Sequence, residues 1–198
     1  FKVFYKESNS IPPQTGEINW DLIGKHNQLN GLSAIAASHH VGININDSSK
    51  ALNKFRGIKR RLEKLDTIRG VNIFDDFAHH PSAISSTLHG LRSANKNGRV
   101  LAIIESRSNT MKMGHHNSTL VDSLRDADFI WWYQPDGDGF SKMEKLFSEY
   151  KKITLSNSID IIVQKLIEES SEGDDIVIMS NGSFDGIHQK IINKMKSF

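Results

Sequence analysis

Residues 71–81 read VNIFDDFAHHP. A short run rich in β-branched and aromatic residues ends in two carboxylates and two imidazoles, and the proline that follows suits the first turn of a helix. The preceding residues, RRLEKLDTIRG (60–70), predict the other half of a hairpin. From there the chain keeps a regular rhythm. Apolar, β-rich runs occur at 100–104, 129–133, 153–155 and 176–179, and helical patterns are expected at 81–95, 117–126, 141–149, 158–170 and 186–196. Strands alternating with helices of this length pair in parallel through right-handed crossovers. Residues 56–198 are therefore expected to form an α/β, Rossmann-like three-layer domain whose sheet is mostly parallel, with an antiparallel first strand. Such sheets present ligands beyond the carboxyl ends of their strands. That rule selects the loops after Phe74, Ile104, Tyr133 and Met179.

Upstream, residues 1–5 and 17–23 read as two strands around a polar, proline-containing stretch. Leu29, Leu32, Ile35, Ala36 and Ala37 recur at helical spacing over 27–41, and a second helix is expected over 46–55 with Asn46 as its cap. Two strands and two helices are too little to close a core alone. Residues 1–55 are expected to be the tail of a domain whose front lies further upstream, and the opening at Phe1 without a Met fits that expectation.

Composition bounds the function classes. The 198 residues are 37% hydrophobic and 24% charged with 4 Pro, values of a folded globular chain rather than a disordered one. No apolar run reaches the roughly 18 residues of a membrane span, and the N-terminus lacks a signal-peptide core, so a cytoplasmic protein without a membrane partner is expected. Zero Cys excludes disulfide scaffolds and thiolate metal sites. A net charge of +2 is too small to imply a nucleic-acid partner. Charge is nonetheless uneven, because residues 54–69 hold seven Lys or Arg against two acidic residues and form a local anion-attracting segment.

The predicted strand ends are chemically loaded. Asp75 and Asp76 with His79 and His80 are able to hold a cation or a sugar hydroxyl. Arg107, Asn109 and Lys112 after the 100–104 strand suit carboxylate or phosphate groups. Gly182 and Gly186 let backbone approach a ligand closely, and Asn181 offers both a donor and an acceptor. Neither a P-loop nor a G-x-G-x-x-G pattern occurs in the 198 residues. On residues alone, two readings stay open: a metal-dependent phosphoesterase built on Asp75, Asp76, His79 and His80, and a non-catalytic domain binding an acidic peptide or nucleotide.

Longer strings add a third. GKHNQLNGLSAIAASHHVGI (24–43) resembles the end of the central ATPase domain of Mur ligases, and GIKRRLE (57–63) followed by DDFAHHP (75–81) resembles the start of their C-terminal domain. SRSNTMKMG (106–114) and MSNGSFDGIHQK (179–190) resemble the branch of that family acting in cell-wall recycling. The resemblance implies 1–55 as the end of an ATP-binding domain and 56–198 as a Mur ligase C-terminal domain. It implies an acid–amino-acid ligase that uses ATP and Mg2+ to join UDP-N-acetylmuramate to the tripeptide L-Ala-γ-D-Glu-meso-diaminopimelate. ATP phosphorylates the lactyl carboxylate, the L-Ala amine attacks the acyl phosphate, and amide, ADP and phosphate result. By the same resemblance His26, Asn27 and Asn30 flank the adenine, Arg61 is the catalytic arginine at the ATP phosphates, and Asp76 lies near the ribose. Arg107, Asn109 and Lys112 are the implied partners of the peptide carboxylates, with His79, Asn181 and His188 as further peptide contacts.

Overall fold

The computed structural model describes residues 1–7, 12–105 and 117–197, which form two compact units, Phe1–Ile58 and Lys59–Phe198. In the first, β1 (Lys2–Tyr5) and β2 (Gln14–Glu17) pair antiparallel, with Lys2 opposite Glu17 and Tyr5 opposite Gln14. The second strand thus precedes the 17–23 segment in which it was expected. The reason is physical: β2 is a polar ribbon that buries only Gly16, while the apolar residues just after it leave the strand and fill a small core. That core consists of Val3, Ile18, Ile35 and Ile45, with Phe1, Tyr5, Trp20 and Leu52 packed around it. Helix α1 (Lys25–His40) and helix α2 (Ile45–Leu52) complete the unit. Asn44 rather than Asn46 caps α2, its side-chain oxygen accepting the Asp47 N–H at 2.8 Å.

The second unit is a six-stranded sheet. The hairpin β3 (Glu63–Ile68) and β4 (Val71–Asp76) is antiparallel, and β5 (Val100–Glu105), β6 (Phe129–Tyr133), β7 (Ile153–Ser156) and β8 (Asp175–Met179) run parallel to β4 in the order β3-β4-β8-β5-β6-β7. The hairpin turns at Arg69 and Gly70, both at positive φ, 54° and 77°. Positive φ at both turn residues is the type I′ connection, which matches the twist of the strands. Helices α3 (Pro81–Ala94), α4 (Asn117–Ser123), α5 (Asp138–Phe147), α6 (Ile159–Glu169) and α7 (Ile187–Ser197) connect or follow the strands, and a 3-10 turn, Phe184–Gly186, leads into α7. Pro81 opens α3, where its missing N–H has no partner to lose.

Alternation along the strands divides the core. Ile73, Leu101, Ile103, Trp131, Ile176 and Ile178 share one face with Ile162, Leu166, Ile187 and Ile191 of α6 and α7. Their neighbours Phe74, Ala102, Ile104, Ile130, Trp132 and Val177 point to the opposite face, where Trp132 meets Phe147 of α5 at 5.1 Å between ring centroids. The central strands are apolar on both faces because helices cover both. Every such side chain withdrawn from water contributes about 1.5–3 kcal/mol. This rigid sheet aligns the carboxyl ends of β4, β8 and β5, with Asp76 and Ile104 both opposite Met179. No helix among the described residues is long and apolar enough to cross a membrane.

Candidate functional site

The carboxyl edge of the sheet is organised by a turn just before β3. Arg60 and Leu62 both take left-handed backbone conformations, with φ of 59° and 50°. For residues other than Gly, each such conformation costs on the order of 1–2 kcal/mol and persists only where surrounding bonds over-determine it. Those bonds are present. The Leu62 N–H donates to Asp76 Oδ2 at 2.7 Å, the Arg60 N–H to Glu63 Oε2 at 2.8 Å, and the Phe77 N–H to the Arg60 carbonyl at 2.8 Å. Arg60 Nη2 donates to the carbonyls of Ser180 at 2.5 Å and Gly182 at 2.9 Å, and its Nε lies 3.3 Å from Asp75 Oδ2.

The residue between the two strained ones is Arg61. It is exposed, and its guanidinium stands 5.5 Å over the ring of Phe77, with that of Arg60 at 5.2 Å from the same ring. Two adjacent arginines thus have opposite assignments: the first is spent on protein carbonyls and a carboxylate, the second is held outward by an aromatic surface.

Asp76 is 5% exposed and both of its oxygens face protein donors. Oδ2 accepts from Leu62, and Oδ1 accepts the Ala78 N–H at 2.7 Å and the Thr87 hydroxyl at 3.3 Å. Burial pushes its carboxyl above the ordinary aspartate value, against those hydrogen bonds and the nearby Arg61 charge, which favour the ionised form. Asp75, 7% exposed, faces Arg60 through Oδ2 and His188 Nε2 through Oδ1, at 3.0 Å. His79 Nδ1 lies 2.8 Å from the Phe77 carbonyl, and His80 Nδ1 lies 3.0 Å from Ser82 Oγ. The four residues of the phosphoesterase reading are therefore directed at separate protein partners. No group of three or more His, Asp or Glu side chains suited to hold a metal ion occurs among the described residues.

The loop after β8 is shaped by Ser180, which is fully buried. Its hydroxyl donates to Glu105 at the end of β5 and accepts the Gly182 N–H at 2.9 Å. Asn181 follows; its Oδ1 is shielded and has no donor among the described residues. A carbonyl oxygen so placed suits an N–H group of a ligand. In the first unit His26, Asn27 and Asn30 occupy the opening turns of α1, where spacings of three and four residues share one face. Asn27 Nδ2 donates to the Ile23 carbonyl at 2.7 Å, and Asn30 is exposed. Arg107, Asn109 and Lys112 lie outside the described residues.

Sequence reasoning passed over Arg60, Ser180 and Glu105. Glu105 carried a signal, a lone charge closing an otherwise apolar strand. Arg60 carried none that distinguishes it from Arg61.

Comparison with known proteins identifies the family. Residues 60–182 match the family described as Mur ligase, glutamate ligase domain. The UDP-N-acetylmuramate:L-alanyl-γ-D-glutamyl-meso-2,6-diaminoheptandioate ligase of Haemophilus influenzae is 41% identical over 184 residues, covering 92% of this chain and 41% of that protein. Its counterpart in Escherichia coli is also 41% identical, over 91% of this chain and 40% of that protein. The crystal structure of a murein peptide ligase from Psychrobacter arcticus superimposes with a TM-score of 0.69 at 38% identity, over 96% of this chain and 41% of that one. The chain thus spans about 41% of the length of these relatives. With the matched residues running from the strained turn at Arg60 to the loop after β8, this chain belongs to the Mur ligase family.

Proposed function

We propose that the chain is the C-terminal part of a cytoplasmic, ATP-dependent ligase that joins UDP-N-acetylmuramate to L-Ala-γ-D-Glu-meso-diaminopimelate in peptidoglycan recycling. Residues 1–55 are the end of its ATP-binding domain and 56–198 its peptide-binding domain. The observation that carries this reading is the turn at 60–62, where two strained residues and a web of bonds present one exposed guanidinium. Arg61 rests on Phe77 and adds charge near Asp76, and its exposed guanidinium suits an anionic reactant. At that place it offsets charge that grows on the phosphoryl group as the lactyl carboxylate oxygen attacks phosphorus and ADP leaves.

The amine of the incoming L-Ala then attacks the acyl carbon, the nitrogen gives its proton to water, and the C–O bond breaks with its electron pair leaving on phosphate. Asn181 Oδ1 supports this step as an acceptor for N–H groups of the peptide. His79 contributes a second acceptor: with Nδ1–H donated to the Phe77 carbonyl, Nε2 keeps its lone pair. His188 acts through Asp75, which occupies its Nε2. Asp76 serves the nucleotide side by fixing the turn rather than by a free oxygen. Arg107, Asn109 and Lys112 are assigned to the peptide carboxylates, and His26, Asn27 and Asn30 to the adenine. Mg2+ supplies screening of the phosphate charges, and the residues described here assign it no ligand set.

The test is release of phosphate and ADP by the complete polypeptide that contains this chain. Turnover that requires both UDP-N-acetylmuramate and the tripeptide supports the proposal. Phosphate ester hydrolysis without either would return the site to the phosphoesterase reading.

A further inference from the structure

One guanidinium ties its own turn to two other segments of this edge. Arg60 belongs to the turn before β3, Asp75 lies at the end of β4 and Phe77 just beyond it, and Ser180 and Gly182 follow β8, 120 and 122 residues away along the chain. The planar fork matters here. Two carbonyls flanking Asn181 converge on Nη2 while Nε faces a carboxylate on another side, an arrangement a flexible ammonium does not reproduce. Asp75 is in turn held by His188 from α7, so the fork grips a group that is itself fixed.

Building on the functional reading above, we infer that Arg60 is a positioning residue that fastens the turn carrying Arg61 to the loop carrying Asn181. The phosphate side and the peptide side of the site move as one piece. The backbone on both sides of the fork points the same way. Leu62 cannot relax from its left-handed conformation without releasing Asp76, and Asp76 contributes its own carbonyl to the Ser180 N–H at 3.1 Å. Gly182 is tied back to Ser180 through the Ser180 hydroxyl. The two loops thus share one set of bonds with Arg60 at its centre, and a ligand that orders one orders the other.

Two readouts test the inference. The first needs no activity: amide hydrogen exchange of the chain at Leu62, Phe77 and Gly182, measured against Ile178 in the middle of β8, in wild type, Arg60→Lys, Arg60→Gln and Arg61→Gln. Both Arg60 variants are expected to speed exchange at all three amides by about tenfold or more beyond the change at Ile178, whereas Arg61→Gln leaves them within about threefold. Faster exchange at Leu62 with Gly182 unchanged, or an equal rise everywhere, overturns the fastening. Arg60→Lys keeps the charge beside Asp75, and so serves if Arg60→Gln does not fold.

The second readout is a double-mutant cycle in the complete ligase. Arg60→Lys is expected to lower kcat about tenfold in the wild-type background and less than about threefold in the Arg61→Ala background, because its effect on phosphoryl transfer runs through Arg61. Its increase in the tripeptide KM persists in both. Losses in kcat that multiply fully would make Arg60 a general structural residue and refute the positioning role. An inactive wild-type ligase would instead refute the functional reading, leaving the exchange data to decide the fastening.

Discussion

Replacing each of two adjacent arginines by alanine should give opposite results for stability and for catalysis. In Arg60→Ala the carbonyls of Ser180 and Gly182 lose a charged donor and Asp75 loses its guanidinium while keeping His188. A hydrogen bond to a charged group contributes about 1.5–3 kcal/mol, and breaking a buried pair costs about 3–5 kcal/mol. Arg60 is about one-third exposed along its side chain, so solvent screens part of this and the lower end applies. A net loss of about 3 kcal/mol corresponds, for a chain of this size, to a fall of roughly 6–12 °C in Tm. Arg61→Ala removes an exposed cation that rests on Phe77, worth about 0.5–1 kcal/mol, and a solvent-screened charge near Asp76, together a fall of about 4 °C. Thermal unfolding of the chain, followed by circular dichroism, reads both. Equal losses for the two variants, or the larger loss for Arg61, would refute the assignment of one arginine to the fold and the other to a ligand.

Three other outcomes follow from the structure and from the residues it leaves undescribed. Asp174 is buried, which alone would raise its carboxyl, yet the hydrogen bonds from Arg99 and Ser171 outweigh this and hold it below the ordinary value. Its contribution is therefore complete above the unfolded pKa of about 3.9 and lost as pH falls through the lower folded value. Asp174→Asn should destabilise the chain at pH 7 and flatten its stability loss below pH ~4, and an unchanged acid limb in urea titrations would count against this. Gly70→Ala places a Cβ 2.5 Å from Glu172 Cγ at a φ of 77°, so a loss of about 1–2 kcal/mol is expected in the same titrations, and no loss would contradict the turn. Arg107→Ala in the complete ligase should raise the tripeptide KM about ten- to a hundredfold with Tm unchanged, whereas a lower Tm with unchanged KM would assign Arg107 to the fold.

Much of the second unit was legible because its physics is local. Runs such as VLAIIE and DIVIM leave few options but buried parallel strands, and Pro81 marks a helix start by its covalent geometry alone. The first unit was less legible. QTGE carries no apolar alternation, and its strand exists because Lys2 to Tyr5 offers it a partner, which is a tertiary cause. The site divides along the same line. Two carboxylates ending a strand pointed to Asp75 and Asp76, but nothing local distinguishes Arg60 from Arg61. The difference is made by carbonyls at 180 and 182, more than a hundred residues downstream, and by backbone angles that residue type does not favour. What the sequence left open about the metal-dependent alternative is also largely non-local, since Arg60, His188 and the Leu62 amide, with the adjacent Ala78 amide, occupy Asp75 and Asp76 among the described residues.

The central claim is that Arg61 faces the reacting phosphate of an amide-forming ligase, and steady-state kinetics of Arg61→Ala in the complete polypeptide tests it most directly. Loss of one preorganised charge at a developing oxyanion costs on the order of 10² or more in kcat. The account predicts a fall of that size with the tripeptide KM changed less than about threefold. A variant with normal kcat and a raised tripeptide KM would contradict it and move Arg61 to the peptide.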